Sequence, residues 1–579
     1  MKQFLKMLLA VLTGLAVFTI LGIAFFAGLV SVGSSSPSLA GGPYVLSVDL
    51  GEVTLTEQSV PDLVAMLNGS QTVSVGLRDA VQAVQRAAQD PSVEMIYLKA
   101  DGTVTELANL AEFRAALADF RASGKPVVSF TESPSISSYY VCSVADKVYM
   151  TSHQGSTIMM NGVSAQMMFL KDLLDRLGVN VQLIRHGRYK SAGEMFVRNA
   201  PSQDNLEQYK ALVGSMWETV SMDIARSRGL SVERVNEVID GLQLCLPQDF
   251  VDCGFADALM DRPALESKVA DLMMVSDYDD VQWIPLQNYV AAAPVKGASR
   301  SVVAVIYADG EIVDGTMPGA VAGDSFASLI SDVRKDDSIA AVVLRVNSPG
   351  GSVLASEKIK TELDRLREVK PLVASYGATA ASGGYWISAN CDRIFTGAST
   401  LTGSIGVFGM VPDLSKAASD LAHVNVVSVN SNAHGDMYSL MRPFDDSEYD
   451  YMTREIEAVY DKFTALVAEA RGMSVEQVDS IAQGRVWTGA DAVRLGLADE
   501  IGTLEDAIAF AAQAAGIENP CSVAYPGVPD GIEGLFEMLG MAPSEPGVEA
   551  ALPEGASLLL EQFRSPRILA RMPYEVTIR

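Results

Sequence analysis

Ser382 lies in the run Gly377-Ala378-Thr379-Ala380-Ala381-Ser382-Gly383-Gly384-Tyr385-Trp386. The apolar segment Pro371–Ala374 before it reads as a buried strand, and Tyr385–Ala389 after it reads as the start of a helix. A serine among small residues at a strand-to-helix turn can present its hydroxyl to a groove, with the free N–H groups of the helix start beside it. That is the setting of a nucleophilic serine. Taken alone, the stretch fits a Gly/Ala-rich turn packed against a neighbour better than a nucleophile, since small-residue turns are common. The choice depends on whether another part of the chain supplies a base, and so on how the rest is organised.

The chain has 579 residues, more than one hydrophobic core accommodates, so two or more domains are expected. Apolar residues make up 49% and charged residues 20%, a globular composition. The formal net charge of −28 argues against nucleic acid as a partner, because an acidic surface repels phosphate. Cys142, Cys245, Cys253, Cys391 and Cys521 are scattered, with no CxxC spacing. Cys245 and Cys253 are near enough in sequence to pair, but single buried thiols fit the spacing better. None of the four histidines, His153, His186, His423 and His434, pairs with another at metal-ligand spacing, so neither a metal nor another cofactor is expected.

Lys2 and Lys6 precede an uncharged, mostly apolar run from Met7 to Val32, 26 residues long. A bilayer needs about 20, and a secretory signal core has only about 7–15. The reading is an anchor in the inner membrane with a cytoplasmic N-terminus, a single pass, and all that follows on the extracytoplasmic (periplasmic) side. A cleaved signal peptide is the alternative, with Ser38-Leu39-Ala40 offering small residues for cleavage.

An internal repeat dominates the remainder. Asp90–Lys99 matches Asp336–Arg345, Tyr139–Asp146 matches Tyr385–Asp392, Arg228–Val235 matches Arg471–Val478, and Gly254–Asp257 matches Gly496–Asp499, at an offset of about 245 residues. In the second copy, strand signals (Val302–Tyr307, Ala340–Val346, Pro371–Ala374) alternate with helix signals (Phe326–Arg334, Glu357–Arg367), the pattern of a parallel α/β sheet. Each copy also carries a long amphipathic helix. One has Leu206, Tyr209, Leu212, Met216, Val220 and Ile224 on a face, and the other has Met452, Ile456, Val459, Phe463 and Leu466. The expected division is an anchor and tether over 1–40, a first domain over 41–290, a linker rich in Ala, Pro and Gly, a second domain over 300–520, and a tail over 521–579 without repeat character.

The copies differ where chemistry would sit. Ile136 stands at the position of Ser382, and Asp101-Gly102-Thr103 stands where the second copy has Asn347-Ser348-Pro349-Gly350-Gly351-Ser352. Conversely the first copy has His186-Gly187-Arg188-Tyr189-Lys190-Ser191-Ala192, and the aligned His434–Ser439 has no lysine. One half thus offers a serine and the other a possible base. By position alone Lys190 also fits an ordinary solvated lysine. A lysine base must be neutral, and with a free pKa of about 10.4 that requires burial in an apolar place such as the interface between the copies. Val353, Leu354, Ile405, Val407 and Phe408 flank the motifs and fit either apolar substrate pockets or ordinary core.

Four motifs together resemble a known family: Tyr189-Lys190-Ser191-Ala192, Asn347–Ser352, Ala381–Trp386 and Ser399-Thr400-Leu401-Thr402-Gly403-Ser404-Ile405-Gly406. Over about residues 40–520 the chain is similar to the long-form bacterial signal peptide peptidase A, or protease IV. The resemblance implies two tandem ClpP/crotonase-like domains of α/β class after an N-terminal transmembrane helix. It implies a homotetramer around a bowl-shaped cavity, and cleavage of spent signal peptides and other apolar peptides at the membrane. It assigns Ser382 as nucleophile, Lys190 as general base, Ser404 as the serine that orients the lysine, and the N–H groups of Gly351 and Gly383 as the oxyanion hole. Two other functions share parts of this pattern, a crotonase-like acyl-CoA enzyme and a non-catalytic membrane scaffold. The expected anchor and the presence of both Ser382 and Lys190 argue against them.

Overall fold

The computed structural model describes residues 42–59, 73–292, 302–317, 319–518, 520–526 and 568–572. The expected membrane anchor and most of the expected linker lie outside them. Among the described residues, no helix is long and apolar enough to cross a membrane.

Among the described residues, twenty-two strands follow in chain order. The first half holds β1 (Tyr44–Asp49), β2 (Val53–Thr56), β3 (Val73–Gly76), β4 (Val93–Lys99), β5 (Val127–Thr131), β6 (Lys147–Thr151), β7 (Asn180–His186), β8 (Ala258–Met260) and β9 (Gln282–Pro285). The second half holds β10 (Val302–Asp309), β11 (Ile312–Val313), β12 (Val321–Ala322), β13 (Ile339–Ser348), β14 (Gly350–Ser352), β15 (Leu372–Ala381), β16 (Arg393–Thr396), β17 (Leu401–Gly403), β18 (Val407–Asp413), β19 (Val486–Thr488), β20 (Glu500–Ile501) and β21 (Cys521–Tyr525). β22 (Ile568–Arg571) comes from the tail.

The first half is a parallel sheet in the order β8-β6-β5-β4-β1-β9. The second half repeats it as β20-β16-β15-β13-β10-β21, also parallel. Even an irregularity recurs, a register shift after the first residue of β1 and of β10. The strands are continuous apolar runs because helices cover both faces. Leu46, Ile96 and Leu98 lie in one core, and Ile306, Leu344 and Ala374 in its counterpart. β21 belongs to the second sheet, so that sheet extends past the expected boundary at 520.

The long helices are twins as well. Gln203–Arg228 is capped by Ser202, Asp446–Arg471 is capped by Asp445, and they end on Gly229 and Gly472 at φ 67° and 65°, a left-handed geometry glycine adopts without penalty.

Within the two parallel sheets, the halves differ at the strand that leads to Ser382. β5 has 5 residues, whereas β15 has 10, running straight through Gly377–Ala381, which the sequence suggested as a turn. The turn is confined to Ser382, and the helix starts at Gly383. The additional length of β15 recruits β17, pairing Thr379 with Leu401 and Ala381 with Gly403, and β19 joins β17 antiparallel.

A third, mixed sheet has the order β12-β11-β14-β22-β18-β7 and draws on both halves and the tail. All seven residues of β7 pair with β18, from Asn180↔Asp413 to His186↔Val407. A first-half strand is thereby stitched to the second half. Arg345 adds a buried cross-link. It donates to both carboxylate oxygens of Glu57 (2.7 and 3.2 Å), to Glu112 (3.0 Å) and to the Ser375 hydroxyl (2.9 Å).

Candidate active site

Ser382 follows the last residue of β15 and is the N-terminal cap of helix Gly383–Ser388. Its backbone sits at φ 55°, ψ −112°, a conformation that crowds Cβ and is held only by what surrounds it. Two bonds hold it: the Ser382 N–H donates to the Gly403 carbonyl (2.8 Å), and its carbonyl accepts from Trp386 N–H (2.8 Å). The side chain is fully buried, contrary to the expectation of a hydroxyl open to a groove. Tail residue Ala570, also fully buried, lies beside the adjacent Gly383.

Lys190 arrives from the other half. β7 ends at His186, whose ring stacks on Tyr460 at 3.9 Å, and the chain turns through Gly187 at φ 100°. Tyr189 N–H then donates to the Gln483 carbonyl (2.9 Å). The lysine stem passes between Gly406 and Gly484 with no room for a side chain at either. A Cβ on Gly484 would lie 2.5 Å from the Lys190 Cβ, and one on Gly406 would lie 3.2 Å from its Cδ. Arg185 donates to the Lys190 carbonyl (2.7 Å) and to buried Glu194 (3.0 Å). Burial pushes the Glu194 pKa up, but bonds from Ser202 and the charge of Arg185 outweigh it and hold the carboxyl below its ordinary range.

The Lys190 Nζ lies 2.8 Å from Ser382 Oγ, 2.9 Å from Ser404 Oγ and 3.1 Å from the Ser404 carbonyl oxygen. The amine is fully buried, and burial holds its pKa well below the usual lysine value. Nζ is thus within donating distance of three oxygens, the Ser382 hydroxyl and the hydroxyl and carbonyl of Ser404. Ser404 is itself strained at φ 50° and anchored by its N–H on the Arg485 carbonyl (2.7 Å).

Gly350 and Gly351 are the first two residues of β14, at φ 95° and 154°, values only glycine adopts freely. A Cβ on Gly350 would lie 2.5 Å from the Gly383 nitrogen, so the Gly351 and Gly383 amides are neighbours beside Ser382. The five residues singled out from the sequence thus meet in one place.

The flanking apolar residues divide differently. Val353 and Ile405 are core of the second half, Val407 packs with Ile184 and Tyr460, and Leu354 faces solvent at 56% exposure. Phe408 lies against the tail strand, packing with Leu569. Gly350 and Gly406 lie inside two of the four motifs, but the sequence assigns no role to them, to Gly484 or to Glu194. Gly484 and Glu194 carry no local signal, because their function depends on a partner from elsewhere in the chain. The cysteines are all free thiols. His434, Asp445 and Glu448 bring possible metal-ligand atoms within 4.8 Å. Arg442 already donates to both oxygens of Glu448 (2.7 Å each), so that carboxylate has its counter-charge.

The sequence matches the model of peptidase family S49 over residues 119–276 and 364–518. The chain belongs to peptidase family S49. S49 relatives cover most of its length. It is 33% identical to Protease 4 of Haemophilus influenzae over 471 residues, 78% of this chain and 75% of that protein. It is 36% identical to Protease 4 of Salmonella typhi over 450 residues, 76% and 72% of the two chains. It is 28% identical to the chloroplastic serine protease SPPA of Arabidopsis thaliana over 460 residues, 75% and 64%. The protein is therefore a serine protease of S49 type with two tandem α/β domains.

Proposed function

We propose that this S49 protease is a membrane-anchored endopeptidase that degrades spent signal peptides and other apolar peptides, using Ser382 as nucleophile and Lys190 as general base. The observation that carries the reading is the 2.8 Å approach of a buried amine to a buried serine hydroxyl, across the two halves. Neutral Lys190 takes the Ser382 proton as Oγ attacks the scissile carbonyl. Ser404 fixes the amine through both its oxygens. The Gly351 and Gly383 N–H groups receive the oxyanion, a role worth about 3–4 kcal/mol per donor in serine proteases. Lys190 then hands the proton to the leaving amine, and the same base activates the water that frees the acyl group. The apolar run Met7–Val32 would hold the enzyme at the inner membrane with its domains on the extracytoplasmic side, where leftover signal segments are found, and four copies would share one cavity.

Turnover of a synthetic apolar peptide tests the dyad. Ser382→Ala and Lys190→Ala should each lower kcat by about 10³-fold or more. Near wild-type turnover in either variant would overturn the assignment. Removing residues 1–40 should release the enzyme from the membrane fraction; retention there would overturn the anchor.

A further inference from the structure

The loop between helix Val475–Ile481 and helix Gly489–Arg494 touches the base and the serine that orients it at the same time. Three consecutive residues do so through the main chain. The Gln483 carbonyl accepts from the N–H of Tyr189, the neighbour of Lys190 (2.9 Å). Gly484 lies against the Lys190 stem and donates its N–H to the Ile405 carbonyl (2.8 Å). The Arg485 carbonyl accepts from Ser404 N–H (2.7 Å). A shift of this loop would therefore move the amine and Ser404 against each other.

The side chain of Arg485 fastens the loop to the first half. Its guanidinium carbon lies 4.8 Å from the Tyr189 ring centroid and 4.3 Å from that of Trp487, within cation–π range of both. Trp487 is fixed in turn by its indole N–H on the Ile481 carbonyl (2.9 Å). Arg485 Nη1 donates to the Tyr189 hydroxyl and to Glu207 (3.2 Å each), and that hydroxyl donates to Glu207 (3.1 Å). Glu207 is 55% exposed, so the ion pair is weak and the stack carries the contact. The next residue, Val486, donates its N–H to buried Gln208 of the first half (2.7 Å). The first copy supplies an internal comparison. Its loop ahead of helix Pro247–Asp252, Gly241-Leu242-Gln243-Leu244-Cys245-Leu246, contains neither an arginine nor an aromatic residue, and Leu242 is 70% exposed. The clasp is particular to the copy that meets Lys190.

We propose that Arg485 is a positioning residue for the reaction: held between Tyr189 and Trp487, it sets the approach of Lys190 Nζ to Ser382 Oγ without touching either atom. The proposal rests on the assignment of Ser382 and Lys190 and adds a residue that acts through the backbone on both sides of them. Opening the clasp lets the amine drift and lets water reach it. The charged groups around the lysine are Arg185, Arg188 and Glu194 from its own segment, Glu207 from the first-half helix, and Asp479 and Arg485 from the loop side. Nζ itself meets three neutral oxygens, and burial is what lowers its proton affinity. Wetting the amine raises that affinity.

The test is steady-state turnover of an apolar peptide by the full-length enzyme across pH. Arg485→Ala should lower kcat about 10²-fold with KM in place, the result of misplacing a catalytic group by about 1 Å. It should also move the acidic limb of kcat/KM to higher pH, because a wetter amine stays protonated further up the scale. A merely structural role would reduce the fraction of enzyme labelled by a serine-reactive probe and leave that midpoint where it was, which would overturn the proposal. Arg485→Lys keeps the charge but has no planar face to stack, so its midpoint should move in the same direction. A midpoint that moves in the alanine variant and not in the lysine variant would make charge, not position, the cause, and would also overturn it. Tyr189→Leu should match Arg485→Ala, and the double variant should lose no more than the worse single one, since both open the same contact. Losses that multiply would refute the clasp. Should Arg485→Ala fail to fold, the midpoint of Arg485→Lys decides the matter. Failure of the dyad itself would show instead as turnover that survives Lys190→Ala, whatever the Arg485 variants give.

Discussion

Lys190 is the residue on which the chemistry depends, and its state fixes two measurable properties. Its folded pKa lies below its unfolded value, so between the two the unfolded chain binds more protons. Stability therefore rises with pH across that window, and the cost of burying the lysine is greatest in acid. Lys190→Met should abolish turnover and raise the melting temperature, with the gain largest at low pH and gone above the ordinary lysine pKa of about 10.4. Thermal melts of both proteins from pH 5 to 10 measure it, and an unchanged or lower melting temperature in the variant at low pH would contradict the burial cost. In the wild type, kcat/KM should fall on acidification, with a midpoint below the usual lysine range that moves when Ser404→Ala removes one of the amine's partners. A profile flat down to pH 5 would count against a lysine base with its pKa in the assayed range. At this scale the sequence was informative. The complementary loss of serine from one copy and lysine from the other pointed to the pair, and four short motifs pointed to Ser404, Gly351 and Gly383. The burial of Ser382 was not legible, because the residues above it come from a tail with no repeat or motif.

At the scale of elements, the site depends on glycines that let backbones touch. Gly484 at φ 77° leaves no space for a Cβ, which would sit 2.5 Å from the Lys190 Cβ and 2.7 Å from its Cα and N. Those are backbone and stem atoms that cannot swing aside. Gly484→Ala should push Nζ away from Ser382 and lower kcat about 10²-fold, the usual result of misplacing a catalytic group by about 1 Å, while KM holds. Steady-state kinetics on one peptide would show it, and wild-type kcat would refute it. The principal strands and helices of the second domain were legible from apolar periodicity, Ile339–Ser348 and Val353–Arg367 within a few residues of expectation. The third sheet was not. Its strands β11, β12 and β14 have two or three residues, too few for any period, and its partners are separated by hundreds of positions in the chain. β15 was cut short in the sequence reading because Gly377 and the alanines after it mimic a turn. They are strand residues, and Gly377 has no room for a side chain because a Cβ there would lie 2.5 Å from the Glu57 carboxylate and 3.1 Å from the Asn347 Cβ.

For the whole molecule, the two halves form one enzyme, with cores of their own, apolar clusters that span both, and a buried polar cross-link at Arg345. Arg345 is 1% exposed and faces Glu57 and Glu112 of the first half at 2% and 10%. Arg345→Met would leave two buried carboxylates without their counter-charge, at a cost of about 3–5 kcal/mol. Denaturant unfolding should show that loss, and a change under about 1 kcal/mol would mean the cross-link is solvated. The duplication and the parallel α/β class were legible from the repeat. The way in which the second copy outgrew the first was not, since it lies in the additional five residues of β15 and in pairing that only the folded chain reveals.

The zipper of seven paired residues between β7 and β18 also sets a rule about length. Successive residues of a strand alternate faces, so sliding this pairing by one position would turn the whole segment over. Only Gly187, Arg188 and Tyr189 separate the end of the zipper from the amine-bearing residue. Exposed Arg188 can change in type, whereas Gly187, where a Cβ would lie 2.5 Å from the Gln483 backbone, cannot; the number of residues is fixed too, since inserting or deleting a single amino acid there would leave two well-folded domains that no longer deliver the base to its serine.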